Sequence, residues 1–154
     1  MRSTPTARAV YVIAAEHGAP PVCDTLLLSH GARRAPRGTA LGLRGMIVEF
    51  ALPSGSRLAH NDRVMLDDGR AVEIVARPEP LVEVRAADLT TLARAAWLLG
   101  DHHIPVEIHA RYLRAERTEQ VAELLSTLDV TVREIEAPFE PEGGAYDHSM
   151  HVAT

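Results

Sequence analysis

Cysteine is nearly absent from this chain of 154 residues: Cys23 stands alone, which excludes an internal disulfide framework and every cysteine-rich zinc pattern. Cys23 lies beside Pro20-Pro21 ahead of an apolar strand and reads as a packed thiol. Aromatic residues are scarce too, at 4%, so the 46% that are hydrophobic must pack mainly as Val, Leu, Ile and Ala. No apolar run approaches the ~18 residues that span a bilayer. Met1-Arg2-Ser3-Thr4-Pro5 lacks the apolar region and cleavage site of a signal peptide, so the reading is a cytoplasmic protein with no membrane partner. With a net charge of −5 and no long basic face, nucleic acid is excluded as the main partner. No nucleophile elbow, phosphate loop or His-Glu-x-x-His pattern is present. Any bound transition metal must therefore be held by imidazole and carboxylate.

The first half, residues 1–77, reads as a small all-β domain. Apolar runs at Ala9–Ala15 and Thr25–Leu28, the alternation Met46–Leu52, and the segments Val64–Leu66 and Ala71–Ala76 are strands. Asp67-Asp68-Gly69-Arg70 between the last two is a hairpin turn. His17 falls in a loop and reads as solvated. His30–Gly38, with Arg33, Arg34 and Arg37, reads as a solvated hairpin loop or as a basic contact for an acidic partner protein. Arg77-Pro78-Glu79-Pro80 is the expected domain boundary, since paired prolines stiffen a link and stop strand pairing.

Residues 80–137 change character. Leu81–Ala86 is a strand, Asp88 is a helix N-cap, and Leu89, Leu92, Ala96 and Leu99 follow at helical spacing with Trp97 packed beside them. Val106–His109 is a strand with Val106 and Ile108 inward, and Tyr112–Ala115 is its short partner. Thr118 caps a second helix with Val121, Leu124, Leu125 and Leu128 on one face, and Val130–Ala137 is a closing strand. The order strand–helix–strand–strand–helix–strand is the split βαβ, ferredoxin-like arrangement. The fold class is α+β: a small all-β domain, a ferredoxin-like βαββαβ domain, and a flexible tail over 138–154 without periodicity.

Between helix and strand lies the turn Leu99-Gly100-Asp101-His102-His103-Ile104-Pro105, which displays two of the eight histidines. Gly100 is the expected left-handed residue past the helix, and Pro105 holds Ile104 extended. His148 and His151 sit near the end of the tail, where no core role explains them.

The stretch Leu99–Ile108 resembles the Gly-Asn-Arg-His-Val-Pro-Leu-Gln-Ile segment of the urease accessory protein UreE family, and Glu136–Tyr146 resembles that family's ending. Glu79–Arg85 and the Asp-Asp-Gly hairpin fit as well, and the resemblance runs from about Arg33 onward. It implies a homodimeric nickel metallochaperone for urease maturation, with a peptide-binding-like β domain before a ferredoxin-like metal-binding domain. Its partners would be the urease accessory GTPase and the urease apoprotein complex. It implies His103 as the metal ligand, with His148 and His151 as tail ligands. His102, where the family has Arg, is an extra candidate. The chain lacks the long His-rich tail of some members. It also carries Arg117-Thr118-Glu119-Gln120 in place of their His-His-Asp-His cluster.

Chemistry supports the dimer separately: one turn histidine and a tail are too few for the roughly four to six ligands of Ni²⁺ or Zn²⁺. A two-fold axis would bring His103 from both chains to one ion. Imidazole also suits Zn²⁺ or Cu²⁺, so nickel selectivity rests on the resemblance. Two other readings compete. One is a metalloenzyme using His102, His103 and Asp101 or Glu107, and the other is an interaction scaffold with incidental histidines.

Overall fold

The computed structural model describes residues 7–13 and 20–143 and is mixed α+β. The chain divides between Arg77 and Pro78 into two compact units.

The first unit contains β1 (Ala7–Ile13), β2 (Val22–Leu28), α1 (His30–Arg34), β3 (Thr39–Leu41), β4 (Ile47–Phe50), β5 (Arg63–Leu66) and β6 (Ala71–Ala76). The strands form one sheet in the order β2-β6-β5-β1-β4-β3, with β1–β4 and β2–β6 parallel. Period-two alternation puts Ala9, Leu26, Val48, Val64, Val72 and Ile74 into a common core, all fully buried. The sheet curls toward a barrel, because Leu43 N, just past edge strand β3, donates to Thr25 O on the opposite edge strand at 3.0 Å. At the β5–β6 hairpin Gly69 has φ +84°, the left-handed conformation that the turn requires.

Two features depart from the expected all-β unit. The segment read as a solvated loop contains the single helical turn α1, capped by Ser29, whose Oγ accepts from Ala32 N at 3.3 Å. That turn folds Arg33 inward to 2% exposure, where its Nε donates to Leu28 O at 3.3 Å. Arg33 is therefore a structural tie and not a solvated charge. Strand β3 was not expected either; three residues between glycines are too short to show a period.

The second unit contains β7 (Glu79–Ala86), α2 (Leu89–Asp101), β8 (Val106–Ile108), β9 (Leu113–Glu116), α3 (Glu119–Leu125) and β10 (Val130–Ala137). The element order is strand–helix–strand–strand–helix–strand, and the antiparallel sheet runs β10-β7-β9-β8. Its core joins Val82, Val84, Val106, Leu113 and Ala115 of the sheet to Leu92, Ala95, Leu99, Val121 and Leu125 of the helices. Asp88 caps α2 by accepting from Thr91 N at 2.8 Å, and that backbone bond with the Thr91 hydroxyl holds its carboxyl below the usual range. Thr118 caps α3 by accepting from Val121 N at 3.2 Å.

Four local expectations need correction. Pro80 does not stop pairing: β7 begins at Glu79 and pairs with Ala137. Pro80 O accepts from Arg117 N at 3.1 Å. A residue's N and O face the same neighbour in an antiparallel pair, so the missing N–H faces the end of β9 and costs β10 nothing. Trp97 is 68% exposed, because five helical residues place it ~140° around the axis from Leu92. Leu89 is exposed as well, and Ala95 takes its expected place in the core stripe. Ile108, expected inward with Val106, is half-exposed at the end of the three-residue edge strand.

Candidate metal centre

Helix α2 runs two residues further than Gly100 suggested, and Gly100 lies inside it. The left-handed residue is His103, at φ +59°. His103 N donates to Gly100 O at 3.0 Å and Ile104 N donates to Leu99 O at 2.9 Å, the two bonds of a Schellman closure. Leu99 and Ile104 also meet in the core cluster, the apolar contact that accompanies this closure. The position that such closures usually give to glycine is thus held by a histidine with an exposed side chain. A non-glycine residue there is strained, and such residues concentrate at functional sites.

His102 is the C-cap, and its Nδ1 lies 2.9 Å from Leu98 O. A carbonyl only accepts, so Nδ1 carries the proton and the neutral ring keeps its lone pair on Nε2. A second ring nitrogen tied to a backbone carbonyl is the usual orientation device of metal-binding histidines. The turn therefore displays His103 from a left-handed residue and His102 in one tautomer.

Around these two rings the described residues supply little else. Among the described residues, no group of three or more His, Cys, Asp or Glu side chains could hold a metal ion. His148 and His151 lie outside the described residues. The carboxylates weighed for an enzyme divide: Asp101 is exposed on the last residue of α2, whereas Glu107 is buried and engaged elsewhere. Its Oε1 accepts from His109 Nε2 and lies 3.5 Å from Arg114 Nη1, and its Oε2 accepts from Glu140 N at 2.9 Å. The cleft lined by Glu79, Pro80, Glu116, Arg117 and Thr118 contains no histidine.

This Glu107–His109–Arg114 group escaped the sequence reading. Glu107 and His109 are two apart and share a strand face, which is a visible signal. Their link to Glu140, 33 residues on, is not. The tail was expected to be free from Pro138, yet Phe139 is fully buried and Glu142 N donates to Val106 O at 2.8 Å. The first residues of the tail are thus docked on the unpaired edge of β8. Val106 is three residues past His103, so tail and turn emerge from neighbouring parts of this unit.

Curated relatives and a family model match the chain. Residues 79–154 match the C-terminal domain of the UreE urease accessory protein, a match that begins at the first residue of β7. The chain is 44% identical over 136 residues to the urease accessory protein UreE of Beijerinckia indica, covering 85% of this chain and 79% of that one. It is 42% identical over 130 residues to UreE of Rhodopseudomonas palustris strain HaA2, covering 84% of this chain but only 60% of the relative. It is 40% identical over 144 residues to UreE of Bradyrhizobium sp. strain BTAi1, covering 94% and 70%.

Proposed function

The chain belongs to the urease accessory protein UreE family, a family of accessory chaperones and not of enzymes, and from that premise we propose that it carries nickel for urease maturation. The observation that carries this reading is His103: an exposed imidazole in a left-handed helix closure, with no third ligand beside it among the described residues. An incomplete site of exchangeable ligands suits a protein that must release its cargo. It does not suit a metalloenzyme, since Glu107 is already bonded on both oxygens. Imidazole chemistry lets Zn²⁺ or Cu²⁺ compete.

In this reading residues 1–77 are the peptide-binding-like domain, 80–137 the ferredoxin-like domain and 138–154 the metal-binding tail, in a cytoplasmic homodimer. The sheet order β10-β7-β9-β8 supports the second assignment. The urease accessory GTPase and the urease apoprotein complex are the proposed partners.

An exposed face of α2 supports a site shared across a two-fold axis. Leu89, Ala93, Trp97 and Gly100 form a second, exposed strip on α2, outside the core stripe and leading to the turn. Each Trp97 buried by a second copy contributes about 3 kcal/mol. The axis then brings His103 from both copies to one ion, with His102 as an extra candidate beside each. By sedimentation the protein is expected to be a dimer that binds one Ni²⁺, and Trp97→Glu to be monomeric and to lose the shared site. A wild-type monomer binding one Ni²⁺ per chain defeats the shared-site reading.

The tail ligands follow from reach. His148 is six residues past Glu142, and an extended chain covers about 3.3–3.6 Å per residue, roughly 20 Å in all. His103 lies three residues before Val106, where Glu142 is fastened, so His148 and His151 are within range of it. Ordering a tail costs ~1–2 kcal/mol per residue, which offsets much of the gain from an added imidazole. A chain ending at Tyr146 is therefore expected to keep a nickel site that is weaker and exchanges faster. Unchanged affinity and exchange in calorimetric and stopped-flow titrations rule the tail out as a ligand.

A further inference from the structure

We propose that Glu107 is the positioning residue that fixes where the tail leaves the second unit, an inference that rests on the carrier reading above. Glu107 divides its two oxygens between the body and the tail. Toward the body, Oε1 accepts from His109 Nε2, and Arg114 Nη1 lies 3.5 Å away. Toward the tail, Oε2 accepts from Glu140 N at 2.9 Å. The body side is itself held: the His109 ring stacks on Tyr112 at 4.2 Å, and the Arg114 and Arg85 guanidinium groups lie 5.1 and 4.8 Å from the Tyr112 centroid. Glu107 is consequently a buried carboxylate that cannot turn away from the tail without losing its partners.

The tail root continues along the strand edge. Glu140 N and Glu142 N, two residues apart as on one side of a strand, bond to Glu107 and to Val106 O, while Phe139 is fully buried. β8 pairs with β9 on its other side, so the tail root takes the edge that β9 leaves open. Main-chain bonds alone leave an extended segment free to slip along an edge. The Glu107 carboxylate bonds one particular amide and selects one register. That register places residue 142 beside residue 106, close to the turn that carries His102 and His103.

Hydrogen exchange and nickel titration on full-length variants test this. Without metal, Glu107→Ala is expected to raise amide exchange at Glu140 and Glu142 by about tenfold, leaving the Val82 and Val84 amides of the β7–β9 ladder unchanged. Glu107→Gln, which keeps one acceptor oxygen, is expected to retain most of the protection at Glu140. Unchanged exchange at Glu140 in Glu107→Ala, or an equal rise across β7 and β9, overturns the proposal. With nickel, Glu107→Ala is expected to lose as much affinity as the double variant His148→Ala/His151→Ala, and to add nothing to it. Additive losses also overturn the proposal. If neither variant changes nickel affinity, the tail-ligand reading fails, while the exchange result still decides the role of Glu107.

Discussion

Replacing His103 by glycine is expected to abolish the tight nickel site and to raise the thermal midpoint at the same time. The two effects have separate causes. His103 occupies the left-handed position of the α2 closure at φ +59°, where a Cβ meets steric resistance that glycine does not. Relief of that strain, less the extra freedom glycine gains in the unfolded chain, leaves a net gain of about 0.5–1 kcal/mol. For a unit of this size that corresponds to a few degrees. His103→Ala keeps the strained backbone and is expected to lose the site without the gain. In a dimer either substitution removes two ligands at once, so the loss is of the tight site as a whole. His102→Ala is expected to cost less, because the His102 ring is tied to Leu98 O from the C-cap and the closure does not depend on it. Nickel calorimetry and thermal unfolding on the three variants decide the matter. Wild-type affinity in His103→Gly refutes the ligand assignment, and a lower midpoint in that variant refutes the account of strain.

The misplaced left-handed residue shows how far sequence reaches into this site. The pair of histidines, the helix before them and the extended Ile104-Pro105 after them were all legible. Gly100 drew attention as the residue most tolerant of positive φ, yet glycine also fits the last turn of a helix. The better marker was Pro105. Its ring forces Ile104 out of the helical region, and the apolar Ile104 must fold back onto Leu99 to be covered. Counting back from that residue places the left-handed conformation on His103. Trp97 failed for a related reason: its size suggested a core role, but its helical angle put it on the opposite side of α2 from Leu92.

Elsewhere legibility followed the length of the pattern. The element order of the second unit was plain because Asp88 and Thr118 are caps with apolar stripes behind them. In the first unit the long strands β1, β2 and β6 were visible, whereas α1 and β3 were hidden by brevity. The tail root was hidden by distance, since Phe139, Glu140 and Glu142 acquire partners only when β8 is already in place. A local window sees their prolines and glycines and reads a free arm.

Brevity also conceals what closes the first unit, and a large effect is expected there. Asp24 on β2 is 1% exposed and accepts from Thr25 N at 2.7 Å, Arg44 N at 2.9 Å and Met46 N at 3.0 Å. It fastens the turn between β3 and β4 to the far edge of the sheet. Gly42 is packed so tightly on this carboxylate that a Cβ there would lie 2.1 Å from Oδ2. Asp24→Ala leaves three backbone donors without that acceptor. At roughly 1–3 kcal/mol for each buried donor, reduced where water reaches the turn, the expected loss is about 3 kcal/mol. Asp24→Asn is expected to be nearly as damaging, because its amide NH₂ faces donors. The pH dependence has a definite sign. Burial alone pushes the Asp24 carboxyl up, but the bonds from Arg44, Thr25 and Met46 outweigh it and hold its pKa below the ordinary 3.8. A depressed folded pKa means that the contribution is complete above the unfolded value and is lost as pH falls through the folded one. Wild-type stability is therefore expected to decline below about pH 4, and Asp24→Ala to lack that share of the decline. Glu83 is also held low: burial raises its pKa, and Arg85, Arg133 and Arg114 more than reverse this, so the difference between wild type and variant isolates Asp24. Denaturant unfolding between neutral pH and pH 3 measures it. A variant within about 0.5 kcal/mol of wild type at neutral pH, or one with the same acid decline, removes Asp24 from its place as the clasp of the barrel.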